Sequence, residues 1–235
     1  MKHVSVVQHT QSEWLGLIED HLEGRGIRFG YHRPFAAGGT LPDARVIGDG
    51  LMLIGGGPWG ARSPGWLLPT LAAEIRLARA CLMLGKPVIG IGLGAQILSL
   101  AADGDVECAP LTFSVGAMRR ASEGALAGLL PDRMPHVVYM RDRPLPPAYA
   151  EILATGEDGA PALFQIGGNA FGFTGHPGIK RAMIEDLIME FEAGPDDPAA
   201  GLDRLATEAR AIEDALVAVM TGLVRLTGWM GEPTQ

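Results

Sequence analysis

The chain has 235 residues, of which 47% are apolar, 20% are charged and 33 are glycine, a mix that excludes a disordered chain. At this length one domain buries about 70% of its unfolded surface, so folding requires no disulfide or metal. The net charge of -8 and the lack of any lysine- and arginine-rich stripe exclude a phosphate-backbone footprint, and no nucleic-acid partner is expected.

The first hundred residues alternate strand-like and helix-like patterns. Thr10 and Glu13 have the spacing of a capping box, which predicts that a helix begins there and ends before Gly24. Further helices are predicted over residues 70–84 and 95–102. Strands joined by helices in this order predict parallel pairing with right-handed crossovers. The predicted strands are residues 4–8, 27–31, 51–54 and 88–91.

Beyond residue 105 the pattern changes to shorter strand-like segments. Gly167-Gly168-Asn169 separates the last two of them and predicts a hairpin, so we expect a mixed or antiparallel sheet edge. A helix is predicted over residues 179–191. The predicted strands are residues 137–140, 151–155, 162–166 and 170–174.

A linker and a long amphipathic helix are predicted at the C-terminal end. The cluster Gly194-Pro195-Asp196-Asp197-Pro198 is the clearest linker, and apolar residues then recur at steps of three or four from Leu202 to Leu223. We therefore divide the chain into a domain over residues 1–193 and an extension over residues 194–235. The apolar face of the helix packs either on its own domain, which is the favoured interpretation, or on a second copy or partner.

Three motifs carry the functional interpretation. Residues 86–96, Lys-Pro-Val-Ile-Gly-Ile-Gly-Leu-Gly-Ala-Gln, read as a buried strand, a glycine-flanked turn and a helix, which is the architecture of a nucleophile elbow. Residues 173–178, Phe-Thr-Gly-His-Pro-Gly, form a strand end that delivers His176. Upstream lies the glycine loop Gly56-Gly57-Pro58.

Together these motifs resemble those of the class I glutamine amidotransferases. The elbow of that family reads Gly-Ile-Cys-x-Gly-x-Gln, its histidine strand ends in His-Pro-Glu, and a Gly-Gly-Pro loop lies upstream. The resemblance covers about residues 1–190. It implies a three-layer, flavodoxin-like α/β sandwich with a mostly parallel central sheet, an antiparallel edge and a long C-terminal amphipathic helix.

Two departures from the family pattern decide the functional expectation. Gly92 stands where the family has its nucleophilic cysteine, and Gly178 stands where it has the glutamate that orients the histidine. His176 is thus the residual triad histidine, and a purely structural role is its favoured interpretation. The resemblance implies that the backbone N–H groups of Gly57 and Leu93 remain as oxyanion donors.

The same resemblance implies that Gly56 and Gln96 remain as substrate contacts. The competing interpretation of the Gly92 turn is an ordinary strand-to-helix loop that cradles phosphate, although the turn lacks the G-x-G-x-x-G spacing. Cys108 and Ser99 are not expected at the top of the strand, and Ser114, in the substrate-loop region, is a remote candidate for a substitute nucleophile. The histidines show no metal-ligand spacing, so neither a metal nor a cofactor is predicted.

We therefore expect a glutamine amidotransferase-like protein without ordinary glutaminase activity. It binds glutamine, a γ-glutamyl compound or another small amide or amino acid, and acts as a regulatory or scaffold subunit of an amide- or amine-handling system. In one alternative, His176 activates water directly against a γ-glutamyl amide. In a second alternative, Gly92 silences an otherwise active amidotransferase.

The partners and the location follow from the resemblance and from composition. Because the family typically supplies ammonia to a synthetase or ligase, such an enzyme is the expected partner, and a homodimer is the other option. Two cysteines without ligand spacing, no leader-like N-terminus and no run of about 18 apolar residues predict a cytoplasmic protein that is not inserted in a membrane.

Overall fold

The computed structural model describes residues 1–230, and within them the chain folds around a nine-stranded mixed sheet. The chain also forms a separate two-stranded sheet. The strands are β1 (His3–Val7), β2 (Arg28–His32), β3 (Gly50–Leu53), β4 (Val88–Ile91), β5 (Asp105–Glu107), β6 (Thr112–Arg120), β7 (Arg133–Met140), β8 (Arg143–Leu145), β9 (Glu151–Thr155), β10 (Pro161–Ile166) and β11 (Ala170–Phe173). The helices are α1 (Leu17–Glu23), α2 (Leu71–Met83), α3 (Leu93–Ala101), the single turn α4 (Ala125–Gly128), α5 (Arg181–Glu190) and α6 (Pro198–Leu226).

The large sheet has the order β2-β1-β3-β4-β11-β10-β9-β6-β7. The first five of these strands run parallel, and the remaining pairs are antiparallel. The predicted mostly parallel sheet with an antiparallel edge is therefore confirmed. The hairpin around residues 167–169 is confirmed as well, with Leu163 opposite Phe173 and Ile166 opposite Ala170.

Two apolar cores, one on each face of the sheet, give the three-layer architecture. Successive strand residues point to opposite faces, so Val6 lies in one core and Val7 in the other. One core includes residues of α1 and α6, such as Leu22 and Leu216. The other includes residues of α2 and α3, such as Leu77. The alternation of valines in β1 thus explains how one strand supports two layers of helices.

Helix α6 is buried along the stripe of apolar residues that the sequence places at helical spacing. Leu205 and Ile212 lie in a cluster with residues of β6, β7 and α5, whereas Leu216 and Leu223 lie in the main core. Trp229, just beyond the helix, donates its indole N–H to the carbonyl of Asp49 at 2.9 Å. The boundary after residue 193 stays a prediction, and residues 231–235 of the predicted extension lie outside the described residues. No helix in residues 1–230 combines the length and the apolar character needed to cross a bilayer.

The predicted capping box at Thr10 and Glu13 is wrong, because α1 begins only at Leu17. The Thr10 hydroxyl does accept a hydrogen bond from the Glu13 N–H, at 3.1 Å. The second half of the box is missing, since the Glu13 carboxylate turns inward to the Gly57 N–H instead of returning to Thr10. The spacing therefore marks a buried loop, and its glutamate belongs to the site described next.

Candidate active site

The turn between β4 and α3 has the unusual backbone conformation expected at the centre of the motif. Gly92 has φ 58° and ψ -116°, and its N–H donates to the Phe173 carbonyl at 2.8 Å. A Cβ added to Gly92 would lie 3.4 Å from the Gly55 Cα, which is an ordinary contact. A side chain thus fits at this position, although a non-glycine residue in such a conformation costs about 1–3 kcal/mol.

Gly92 and His176 line the same small cavity, so the structure brings these two predicted site residues together. Glu13, Tyr139 and Thr174 complete its polar lining. The volume of the cavity is about 10 Å³, roughly the space that one water molecule needs. A glutamine side chain does not fit into it.

Both ring nitrogens of His176 are occupied. Nε2 lies 2.8 Å from the Trp14 carbonyl, which only accepts, so Nε2 carries the proton. Nδ1 accepts a hydrogen bond from the Gly178 N–H at 3.2 Å. Burial lowers the pKa of His176 to about 4, against the raising effect of the Trp14 carbonyl. The neutral imidazole therefore has no free lone pair, an arrangement typical of a structural histidine.

Gly178 is packed so closely against α1 that no larger side chain fits there. A Cβ at this position would lie 2.8 Å from Ile18 Cγ1 and 3.0 Å from the Ile18 backbone nitrogen. The Gly178 carbonyl also accepts the Leu17 N–H at 2.8 Å, near the start of the helix. Gly178 is therefore a contact point for the start of α1.

The Glu13 carboxylate occupies one of the two predicted oxyanion donors. Its Oε2 accepts the Gly57 N–H at 3.1 Å, and the residue is only 2% exposed. Gly57 has φ 54°, and a Cβ on Gly55 would overlap the Glu13 carboxylate. The glycines of this loop thus make room for an internal carboxylate beside Gly92.

Burial raises the pKa of Glu13 to about 7, while the Gly57 N–H and the charge of His9 lower it. The ordinary value is 4.5, so Glu13 binds its proton more readily in the folded chain than in the unfolded one. Its contribution to stability is complete below pH 4.5 and disappears as the pH rises through 7. This rise in the pKa of Glu13 corresponds to about 3 kcal/mol of unfolding free energy.

We expect Glu13→Gln to gain about 3 kcal/mol of unfolding free energy relative to the wild type between pH 4.5 and pH 8.5, because glutamine removes the ionisation and keeps an oxygen for Gly57. Urea denaturation at several pH values measures this difference between the two proteins. Both contain His176, so its titration contributes equally to each and cancels in the difference. Glu23→Gln, on the exposed face of α1, is the matched control. A difference that does not change with pH would show that Glu13 titrates normally.

A second buried acid, Glu74, forms an ion pair with His9 behind the glycine loop. Nε2 of His9 lies 2.7 Å from the Glu74 carboxylate, and Nδ1 lies 3.1 Å from the Gly55 carbonyl. Both side chains are completely buried. Burial alone lowers the pKa of His9, but Glu74 and the Gly55 carbonyl raise it above its ordinary value. The Glu74 carboxylate and the Gly55 carbonyl are both acceptors, so each ring nitrogen of His9 carries a proton. The resulting imidazolium fixes the glycine loop through its hydrogen bond to Gly55.

The remaining predicted contacts are engaged within the protein. The buried Gln96 amide donates to the Arg141 carbonyl at 2.6 Å and accepts the Ala61 N–H at 3.0 Å. A ligand contacting Gln96 has to displace these bonds. Leu93 is the first residue of α3, so its N–H has no partner inside the helix, and its side chain packs against Gly56.

Sequence reasoning missed Glu13, Glu74 and Tyr139. Within residues 1–230 the Tyr139 hydroxyl is the one buried side-chain polar atom without a hydrogen-bond partner, and Tyr139 lines the Gly92 cavity. Burial, with the charge of Glu13, raises the pKa of Tyr139 to about 12. The alternative nucleophiles lie elsewhere, since Ser99 donates to the Leu145 carbonyl and Cys108 is exposed.

Comparison with curated proteins gives one relative of known chemistry. The glutamine-hydrolysing GMP synthase of Aeropyrum pernix is 31% identical over 160 residues, which are 66% of this chain and 28% of that protein. The chain thus matches less than a third of the length of this relative. No protein-family model matches the chain.

Solved structures similar to this chain include two glutamine amidotransferases. The enzyme from Thermotoga maritima has a TM-score of 0.80 at 21% identity, covering 96% of this chain and 98% of its own. The one from Methylobacillus flagellatus has a TM-score of 0.77 at 24% identity, covering 96% and 95%. Identities this low show the fold and not the activity. The chain is glutamine amidotransferase-like and has the flavodoxin-like α/β fold of those proteins.

Proposed function

We propose that this chain is a degenerate class I glutamine amidotransferase that lacks ordinary glutaminase activity and serves as a ligand-binding or regulatory subunit. The observation that carries the proposal is the Glu13 carboxylate on the Gly57 N–H, beside a Gly92 that has no side chain. A thioester mechanism needs an attacking thiolate and backbone donors that are free for the oxyanion. At this site the first is missing and one of the donors is occupied.

Two further observations support the absence of turnover. The cavity beside Gly92, at about 10 Å³, has no space for a glutamine side chain. His176 accepts from Gly178 and donates to Trp14, so proton transfer would first have to break a buried hydrogen bond. His176 is neutral, as direct activation of water requires, but it lacks the free lone pair, and we do not propose that alternative.

Family membership and a partner enzyme are part of the proposal. The relative from Aeropyrum pernix is a glutamine-hydrolysing GMP synthase, and the matched segment is 28% of it. A chain with the same fold and no nucleophile fits a system in which a separate synthetase or ligase does the chemistry. We therefore infer a role in an amide- or amine-handling assembly, where this subunit senses a ligand or holds the partner.

The experiment that tests the loss of function restores the nucleophile. We expect Gly92→Cys to release no ammonia or glutamate from glutamine, because Glu13 and the engaged His176 remain in place. Gly168→Cys, at an exposed hairpin position with open space around it, controls for the added thiol. Circular dichroism verifies that both variants fold. Glutamine turnover by Gly92→Cys would favour the alternative, an active site silenced by a single substitution.

A further inference from the structure

A larger cavity lies on the opposite face of β7 from Gly92. Its volume is about 540 Å³, within the range of roughly 300–1,000 Å³ found for small-molecule sites. Side chains alternate along the strand, so Val137 and Tyr139 face the small cavity while His136 and Val138 face the large one. One strand therefore separates this cavity from the predicted glutamine site.

The wall of this cavity combines an apolar part with several hydrogen-bond acceptors. Val138 and Met140 supply apolar surface from β7. Among the acceptors is His136, whose Nε2 lies 2.9 Å from the Thr174 hydroxyl. That hydroxyl also lies 3.3 Å from the Ala162 carbonyl, and in the tautomer in which it donates to this carbonyl, Nε2 of His136 donates to the hydroxyl.

The tautomer leaves Nδ1 of His136 as an acceptor on the cavity side of the ring. Within residues 1–230 no hydrogen bond to Nδ1 is present, and the atom lies beside the turn between β9 and β10, which lines the cavity. Burial lowers the pKa of His136, while Asp158 and Glu157 raise it. The ring is therefore neutral and offers a lone pair to a donor inside the cavity.

The charged groups at the rim carry an excess of negative charge. Asp142 also lines the cavity, but its carboxylate is already engaged within the protein, since it accepts the N–H groups of Arg62, Ser63 and Ala109. The only ion pair between rim residues in the described part of the chain is loose, at 3.8 Å between Arg143 and Asp158. The other charged residues that line the cavity are the carboxylates Glu107, Glu157, Asp158 and Asp197 and the guanidinium groups of Arg143 and Arg204. Arg133, outside the lining, lies 3.7 Å from Glu157.

We propose that this cavity binds a small organic amine in its protonated form. The ammonium group lies among the rim carboxylates and donates to Nδ1 of His136, and the alkyl body lies on Val138 and Met140. Volume, acceptors and charge all favour a cation with an apolar body over an anion of the same size. This inference deepens the proposed ligand-binding role and rests on it, but it does not depend on the loss of glutaminase activity.

Three probes with the same six-carbon chain separate the contributions of charge and shape. Hexylamine, hexanol and hexanoate are titrated into the full chain by isothermal calorimetry at pH 7.5. We expect hexylamine to bind at least about fivefold more tightly than hexanol, and hexanoate to bind most weakly. Equal affinities, or no binding of hexylamine, overturn the proposal and leave the glutaminase result unaffected.

Variants then locate the binding. Glu157→Gln and Asp197→Asn are each expected to weaken hexylamine about two- to fivefold, and asparagine tolerates the left-handed conformation of residue 197. Ser114→Phe, at an exposed position of the lining, fills the cavity and abolishes binding. Glu123→Gln lies outside the lining and leaves the affinity unchanged. Full binding by a folded Ser114→Phe variant would place the amine elsewhere and overturn the assignment.

Discussion

Replacing Glu74 by alanine is expected to lower the free energy of unfolding by about 3–5 kcal/mol, because the substitution leaves the buried His9 without its counter-ion. No water reaches either side chain to compensate, since both are completely buried. The Thr70 hydroxyl, which donates to Glu74 at 2.6 Å, loses its acceptor as well. Urea denaturation at pH 6 measures the loss.

The matched control is Glu185→Ala, which removes an exposed glutamate paired with Arg181. An exposed pair of this kind is worth about 0.3–0.5 kcal/mol, so the two variants are expected to differ roughly tenfold in effect. A loss below about 1 kcal/mol for Glu74→Ala would mean that His9 and Glu74 are not an ion pair.

The contribution of the pair also depends on pH in a defined direction. Burial lowers the pKa of His9, but the charge and hydrogen bond of Glu74 outweigh burial. The pKa of His9 in the folded chain is therefore raised above its ordinary 6.5. Stability from the pair is therefore complete below pH 6.5 and is lost as the pH rises through the folded-state pKa. The difference between the wild type and Glu74→Ala accordingly narrows at alkaline pH.

Gly178→Glu is expected to destabilise the protein by about 3–5 kcal/mol, because the new side chain collides with the start of α1 and places a carboxylate in a buried position. Ile18 contributes both a side-chain atom and a backbone atom to the collision. Gly168→Glu adds the same residue where nothing lies within 4 Å and serves as the control. Thermal denaturation of the two variants is the measurement, and equal midpoints would contradict the close packing at Gly178.

This packing has a consequence for any attempt to rebuild the triad. A Cβ at residue 92 makes an ordinary contact, whereas a Cβ at residue 178 already collides with α1. A glutamate at residue 178 therefore requires a different position of α1. Under the proposed function, this packing argues against a single silencing substitution at residue 92.

The parallel half of the sheet could be predicted because its strands are short apolar runs between glycine and proline. Residues 88–91 illustrate this, since Pro87 precedes them, Gly92 follows them, and the strand β4 has the predicted bounds. Strand β6 was not predicted as a strand, although Phe113, Val115 and Ala117 alternate with small or polar residues and are more buried than they are. It pairs with β7, the next strand along the chain.

The site was predictable only where a motif marked it. Gly92 and His176 were found from local patterns, and they do line one cavity. Glu13 was missed because its spacing from Thr10 is also that of a capping box, and only the fold shows that its carboxylate reaches Gly57, 44 residues away. Tyr139 was missed for a similar reason, because only the packing around it shows that its hydroxyl is buried without a partner.

The measurement that tests the central claim most directly is the release of ammonia from glutamine by the purified wild-type chain at neutral pH. With Glu13 on the Gly57 N–H and no side chain at Gly92, we predict a rate no higher than that of buffer alone. Sustained turnover that disappears in His176→Ala would contradict the account, and it would make a histidine-activated water the chemistry of this site.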